Sequence, residues 1–117
     1  MPLEFSLKLE EIPVKLITSS GQVKEYKLIE MDGERRGAYT EASSSLMEVE
    51  DGRVKKILSY KKMDVLLLSY CLFGPDGKLV SEEELLSYPA SVLEQLRKEA
   101  RKLNKLDEED RQKIKNE

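Results

Sequence analysis

Few side chains in this sequence carry chemistry of their own. There is one cysteine, Cys71, and no histidine. A nucleophilic thiolate needs a base or cation nearby to lower its pKa. Cys71 instead sits in the apolar run Leu66-Leu67-Leu68-Ser69-Tyr70-Cys71-Leu72-Phe73 and reads as a small buried hydrophobe. A lone cysteine also excludes an intramolecular disulfide and a multi-cysteine zinc site. Glu82-Glu83-Glu84 offers three carboxylates, but the run follows Ser81 in the pattern of a helix start, where peptide dipoles favour negative charge. Asp107-Glu108-Glu109-Asp110 lacks the ligand spacing of a calcium loop and reads as solvated acid. Lys55-Lys56 and Lys61-Lys62 are basic pairs interleaved only with Tyr60, a solvated face by default rather than a nucleic-acid groove. No phosphate loop, Gly-x-Ser-x-Gly elbow, dinucleotide fingerprint or metal-spaced cluster occurs. The expectation is a protein that is not an enzyme and uses no cofactor and no metal.

The totals narrow the class further. A chain of 117 residues builds one modest core. With 39% hydrophobic and 37% charged residues, much helix surface must be solvated or one end disordered. Twenty basic against 23 acidic residues give a net charge of −3, without the basic stripe of a nucleic-acid binder. The N-terminus lacks the pattern of a signal peptide. The longest uninterrupted apolar run, Val65-Leu66-Leu67-Leu68, is far short of the roughly 20 residues of a membrane span. No membrane contact is expected, and the location expected is cytoplasmic.

The elements follow from periodicity. Leu7 and Leu9 alternate with Lys8 and Glu10, which hints at an extended segment. Strands are predicted over 12–18 and 23–30, joined by the turn Ser19-Ser20-Gly21, with Pro13 at a strand start or edge. Asp32 caps a helix over 33–47 whose buried stripe is Ala38, Tyr39, Ala42 and Leu46, and whose end frays at Ser43-Ser44-Ser45. Glu50-Asp51-Gly52-Arg53 is a turn across which Val49 and Val54 can pair. A second helix over about 59–73 is apolar nearly all round, with Gly74 as its left-handed cap and Pro75-Asp76-Gly77 as the turn beyond. Ser81 caps a short helix carrying Leu85 and Leu86. Pro89 then opens a last helix with the face Val92, Leu93, Leu96, Ala100 and Leu103. Residues 107–117 hold one apolar residue, Ile114, too few to offset their ordering entropy, and read as a charged, disordered tail. The fold class is therefore α+β: an N-terminal antiparallel β-hairpin followed by a mainly helical part of about four helices, in a single domain over 1–106. The expected core is Tyr39, Leu46, Leu66, Leu67, Tyr70, Leu93, Leu96 and Leu103.

Three strings carry a resemblance. The first is Leu28-Ile29-Glu30-Met31-Asp32-Gly33-Glu34-Arg35, followed by Ala38-Tyr39. The second spans residues 67–78, a Leu-Ser-Tyr-Cys-Leu run meeting an Asp-Gly-Lys turn. The third is Pro89-Ala90-Ser91-Val92, with Leu93, Leu96 and Ala100 and the ending Lys102-Leu103-Asn104-Lys105-Leu106. Their order resembles the tail assembly chaperones of long-tailed bacteriophages and prophages. Members of that family commonly have glycine where this chain has Lys105, which leaves the helix end less sharply defined here. The resemblance implies a non-enzymatic protein, absent from the finished particle. Such a protein binds the tape measure protein, keeps it soluble and recruits tail tube subunits in the host bacterial cytoplasm. The alternative is a structural or adaptor phage protein retained in the particle. Residues off the main core stripe are the candidate partner surface: Val65, Leu68 and Leu72 on the central helix, with Leu85 and Val92 nearby, rimmed by Glu94, Lys98 and the tail. The wide apolar stripe of residues 63–73 also suggests self-association.

Overall fold

The computed structural model describes residues 2–50, 53–57 and 60–106. The elements are β1 (Glu11–Ile17), β2 (Val23–Ile29), α1 (Gly33–Ser44), β3 (Met47–Glu50), β4 (Arg53–Ile57), α2 (Tyr60–Ser69), β5 (Leu72–Phe73), α3 (Glu82–Leu86) and α4 (Ala90–Leu103). The fold is α+β, as the periodicity predicts. An antiparallel sheet of order β1-β2-β5 meets four helices, and β3 and β4 form a separate ribbon. The turn expected at Glu50-Asp51-Gly52-Arg53 lies partly, and the tail over 107–117 wholly, outside the described residues.

The hairpin forms because two alternating runs flank a turn that closes cheaply. Val14 faces Tyr26 and Leu16 faces Lys24. Thr18 N–H donates to Gln22 C=O at 2.8 Å, and Gly21 takes the positive φ of 89° that the turn requires. Ile12, Val14, Leu16, Tyr26 and Leu28 share the inner face, while Lys15 and Ile17 face out.

Asp32 caps α1 as expected, its Oδ1 accepting from Arg35 N–H at 2.8 Å. The helix stops at Ser44, short of the predicted 47. The hydroxyls of Ser43, Ser44 and Ser45 bond back to the carbonyls of Thr40, Glu41 and Ala42, which offers the chain a local alternative to continued helix. Met47 enters β3 instead, and Val49 and Val54 pair across the ribbon.

The larger departure lies in the central run. It supplies not one helix to residue 73 but α2 to Ser69, then β5. Leu72 faces Leu28 and Phe73 faces Lys27, while Ile29 N–H donates to Cys71 C=O at 2.9 Å. Around the buried Leu28 the second edge of β2 has backbone groups to satisfy away from water, and there it recruits the nearest extended apolar pair. Gly74 is consequently not a left-handed helix cap. The positive φ in this turn, 77°, belongs to Gly77.

The core lies between the inner sheet face and α2, with α1, α3 and α4 packed around that helix. Five residues of the expected core are buried: Tyr39, Leu66, Leu67, Leu96 and Leu103. Leu46, Tyr70 and Leu93 pack against it half-buried. The Asp64 carboxylate meets the Arg97 guanidinium at 3.6 Å, a mostly buried link between α2 and α4. Leu67→Ala should lower unfolding free energy by about 2–5 kcal/mol in denaturant titration, because the site is enclosed on all sides. A loss below about 0.5 kcal/mol would contradict this packing.

Candidate interaction surface

Four of the five residues expected to present a partner surface are in the core. Leu68, Leu72 and Leu85 have no exposed area, and Val65 has 3%. The expectation treated the apolar circumference of α2 as more than the chain could cover. It overlooked β5, which places Leu72 in the sheet, and α3, which seats Leu85 against α2. The same burial removes the α2 face as the basis for self-association.

Val92 is the exception. It is half-buried on the first turn of α4 and lines a half-open groove of about 690 Å³. The opposite wall is the distal hairpin, Lys15, Leu16, Ile17 and Lys24, and the floor holds Tyr26 and Tyr88. A carboxylate pins that floor. Glu84 accepts the Tyr26 hydroxyl at 3.2 Å and the Tyr88 hydroxyl through the same Oε2. Burial, then the hydrogen bond to Glu84, pushes the Tyr88 phenol well above its ordinary range, so it stays protonated and donating. Glu84 belongs to the cap that the sequence predicts, with its N–H donating to Ser81 Oγ at 3.2 Å, but its side chain turns to the tyrosines. Farther along α4, Glu94 and Lys98 form an exposed pair at 3.8 Å, and neither lines the groove.

A second cluster joins the chain's distant parts. Arg35 donates to the carbonyls of Glu30 at 2.6 Å and Tyr70 at 2.8 Å, and its guanidinium lies 5.3 Å from the Phe73 ring centroid. Asn104 accepts Met31 N–H at 2.7 Å, while its amide donates to Ala100 C=O at 2.8 Å and contacts Cys71 Sγ at 3.4 Å. Periodicity gives no hint of Arg35 or Asn104. The only sequence signal for either is its place in the strings of the resemblance. Cys71 is buried as expected. Burial pushes its thiol up to about 11, partly offset by the Asn104 hydrogen bond and by Arg35 and Arg36.

The end of α4 is sharply defined despite Lys105. Leu106 N–H bonds Arg101 C=O at 2.9 Å and Lys105 N–H bonds Lys102 C=O at 3.1 Å, a Schellman closure. Lys105 takes a left-handed φ of 54° to make it.

Among the described residues no helix is long and apolar enough to cross a membrane, and no His, Cys, Asp or Glu group is placed to hold a metal ion. The chain matches no family model, no curated protein and no solved structure.

Two predictions follow from this cluster. Lys105→Gly should raise stability by about 0.5–1 kcal/mol in thermal or denaturant unfolding, since relief of left-handed strain exceeds the added chain entropy of glycine. Stability should also fall as pH rises from 9 to 11, because the unfolded thiol ionises near 9.0 while the folded one holds its proton to about 11. There the unfolded state binds fewer protons, so the slope is negative, at most about 1.4 kcal/mol per pH unit from this group. Cys71→Ala should remove that part of the slope. An unchanged alkaline slope in the variant would refute the assignment.

Proposed function

We propose that this chain is a phage tail assembly chaperone, a binding protein that keeps the tape measure protein soluble and hands it to tail tube subunits. The observation that carries the reading is a convergence. The three strings of the resemblance lie far apart in sequence, yet Glu30, Met31 and Arg35 of the first meet Tyr70, Cys71 and Phe73 of the second and Asn104 of the third. Strings that together close one fold are what a shared architecture would keep.

The client surface in this reading is the groove beside Val92. A tape measure protein is a long helical chain whose apolar stripes aggregate until the tube surrounds them. The groove offers Leu16, Ile17, Tyr88 and Val92 to a few side chains of such a stripe, in the manner of a helix laid in a groove. Lys15 and Lys24 on the strands give it a charged rim. Modest apolar area with a polar rim suits a complex that tube subunits must displace.

The test is co-expression of a tape measure fragment with the wild type and with Val92→Asp, alongside a melting curve for the variant. Wild type should hold the fragment in the soluble fraction. The variant, folded but with a charge in the groove, should lose about tenfold of the soluble complex. A folded variant that protects the fragment as well as wild type rules out this groove. A wild type that leaves the fragment insoluble rules out the chaperone reading. Mass spectrometry of purified particles should lack the protein, and its presence there would favour a structural component.

A further inference from the structure

The segment before β1 is an extended arm with an unusual surface. Leu3, Phe5 and Leu7 are 84%, 81% and 96% exposed, and alternate with Glu4, Ser6 and Lys8. Large apolar residues arrayed on one side of an extended chain are the pattern of a strand with one face to bury. None of the described residues covers them.

A matching vacancy exists on the sheet. In the order β1-β2-β5, β1 is an edge strand. Glu10 C=O accepts from Glu30 N–H, and Thr18 N–H donates to Gln22 C=O, so in the β1–β2 register the even-numbered residues direct their backbone groups to β2. Glu11, Pro13, Lys15 and Ile17 therefore direct theirs to the open edge. The inner-face residues Ile12, Val14 and Leu16 are only half-buried.

The arm cannot reach the edge of its own β1. Glu10 is already held by Glu30 on both its N–H, to Oε1 at 2.8 Å, and its C=O, at 2.9 Å. The chain would have to reverse within Ser6-Leu7-Lys8-Leu9, which has no Gly, Pro, Asn or Asp to make a tight turn. It bends instead at Lys8, and the apolar alternation passes from odd to even positions between Leu9 and Ile12.

We propose that two copies of this chain exchange these arms, each adding its arm antiparallel to the β1 edge of the other. One register satisfies both faces. Leu3 opposite Leu16, Phe5 opposite Val14 and Leu7 opposite Ile12 put apolar residues together on the inner face. The same register sets Glu4 opposite Lys15 and Lys8 opposite Glu11, two pairs of opposite charge. A shift by one residue in either direction sets apolar residues against charged ones. Pro13 lies opposite Ser6 and lacks an N–H, so the added ladder is one bond short at that position, which weakens the pairing there. Reciprocal exchange closes the assembly as a two-fold dimer, with no edge of β1 left to propagate. The proposal rests on the arm and the edge and not on the client reading, although Lys15, Leu16 and Ile17 of that edge also line the groove beside Val92.

Sedimentation velocity on the full chain, over about 1–100 µM, tests it. Wild type should form a dimer in that range. Phe5→Asp with Leu7→Asp alters only side chains exposed in the single chain, so it keeps the monomer fold and should weaken the dimer about a hundredfold or more. Glu4→Lys and Lys15→Glu should each weaken it about tenfold, and together restore it, because the double variant again places opposite charges across the strands. A wild type that stays monomeric throughout overturns the proposal, including the case in which the arm binds some other protein. So does a Phe5→Asp, Leu7→Asp variant that dimerises like wild type, or a charge-reversed pair that fails to recover.

Discussion

Two carbonyls, those of Glu30 and Tyr70, close on one guanidinium, and the rest of the architecture depends on that junction. Glu30 directly follows β2 and Tyr70 directly follows α2, the two points at which the chain leaves those elements. Carbonyls at such ends have no partner within their own element and are costly to leave unmet away from water. Arg35 reaches both because Asp32 fixes the start of α1 directly beneath them, and the Asp32 carboxylate also stands 3.6 Å from the guanidinium Nε. Hydrogen bonds from a charged donor contribute about 1.5–3 kcal/mol each, more than a neutral pair. The planar fork that serves two carbonyls in different directions is specific to arginine; a lysine ammonium in that place is a flexible point charge.

Asn104 performs the same task from the other end of the chain. Its side chain binds Met31, one residue past Glu30, and touches Cys71, one residue past Tyr70. The C-cap of α4 is thereby tied to the two places that Arg35 secures. The left-handed Lys105 becomes intelligible on this basis. Closing the helix with Leu106 N–H on Arg101 holds Asn104 at the cap, and the strain at Lys105 accompanies that placement. The strain is local, while the Asn104–Met31 contact it preserves joins residues 73 positions apart.

Much of this fold was legible in the sequence because much of it is local. Asp32, Ser81 and Gly21 announce their caps and turn through backbone chemistry that acts over three or four residues. The hairpin register follows from alternation, and the stripe of α4 from a period of 3.6. The central run was different. Its residues are apolar at nearly every position, so they satisfy a helical and a strand pattern alike. Only the unpaired edge of β2, a fact of tertiary structure, decides that Leu72 and Phe73 extend. The misplacement of the partner surface has the same origin. Counting apolar circumference on α2 without β5 and α3 leaves Leu68, Leu72 and Leu85 seemingly uncovered, when they have no exposed area. Arg35 and Asn104 were invisible to pattern because their partners are carbonyls and an N–H, which no sequence period encodes.

The distribution of packing also separates a rigid end from a yielding one. At the junction, β2, α1, β5 and α4 meet through buried leucines and charge-assisted bonds. At the far end of the hairpin, β1 is half-buried on one face and open along one edge, and Val23 and Ile17 near the tip are exposed. The tyrosine pair on Glu84 is the polar link between that end and α3. Elements with few buried contacts and unpaired backbone open at lower free energy than the core. The groove beside Val92 takes one wall from each regime, α4 from the rigid side and distal β1 from the yielding side. Under the proposed client reading, a groove with one such wall would adjust its width to an apolar segment while the fold beneath it stays intact. That property belongs to the placement of the junction: a chain secured at Arg35 and Asn104 leaves its hairpin tip free to serve as the moving wall.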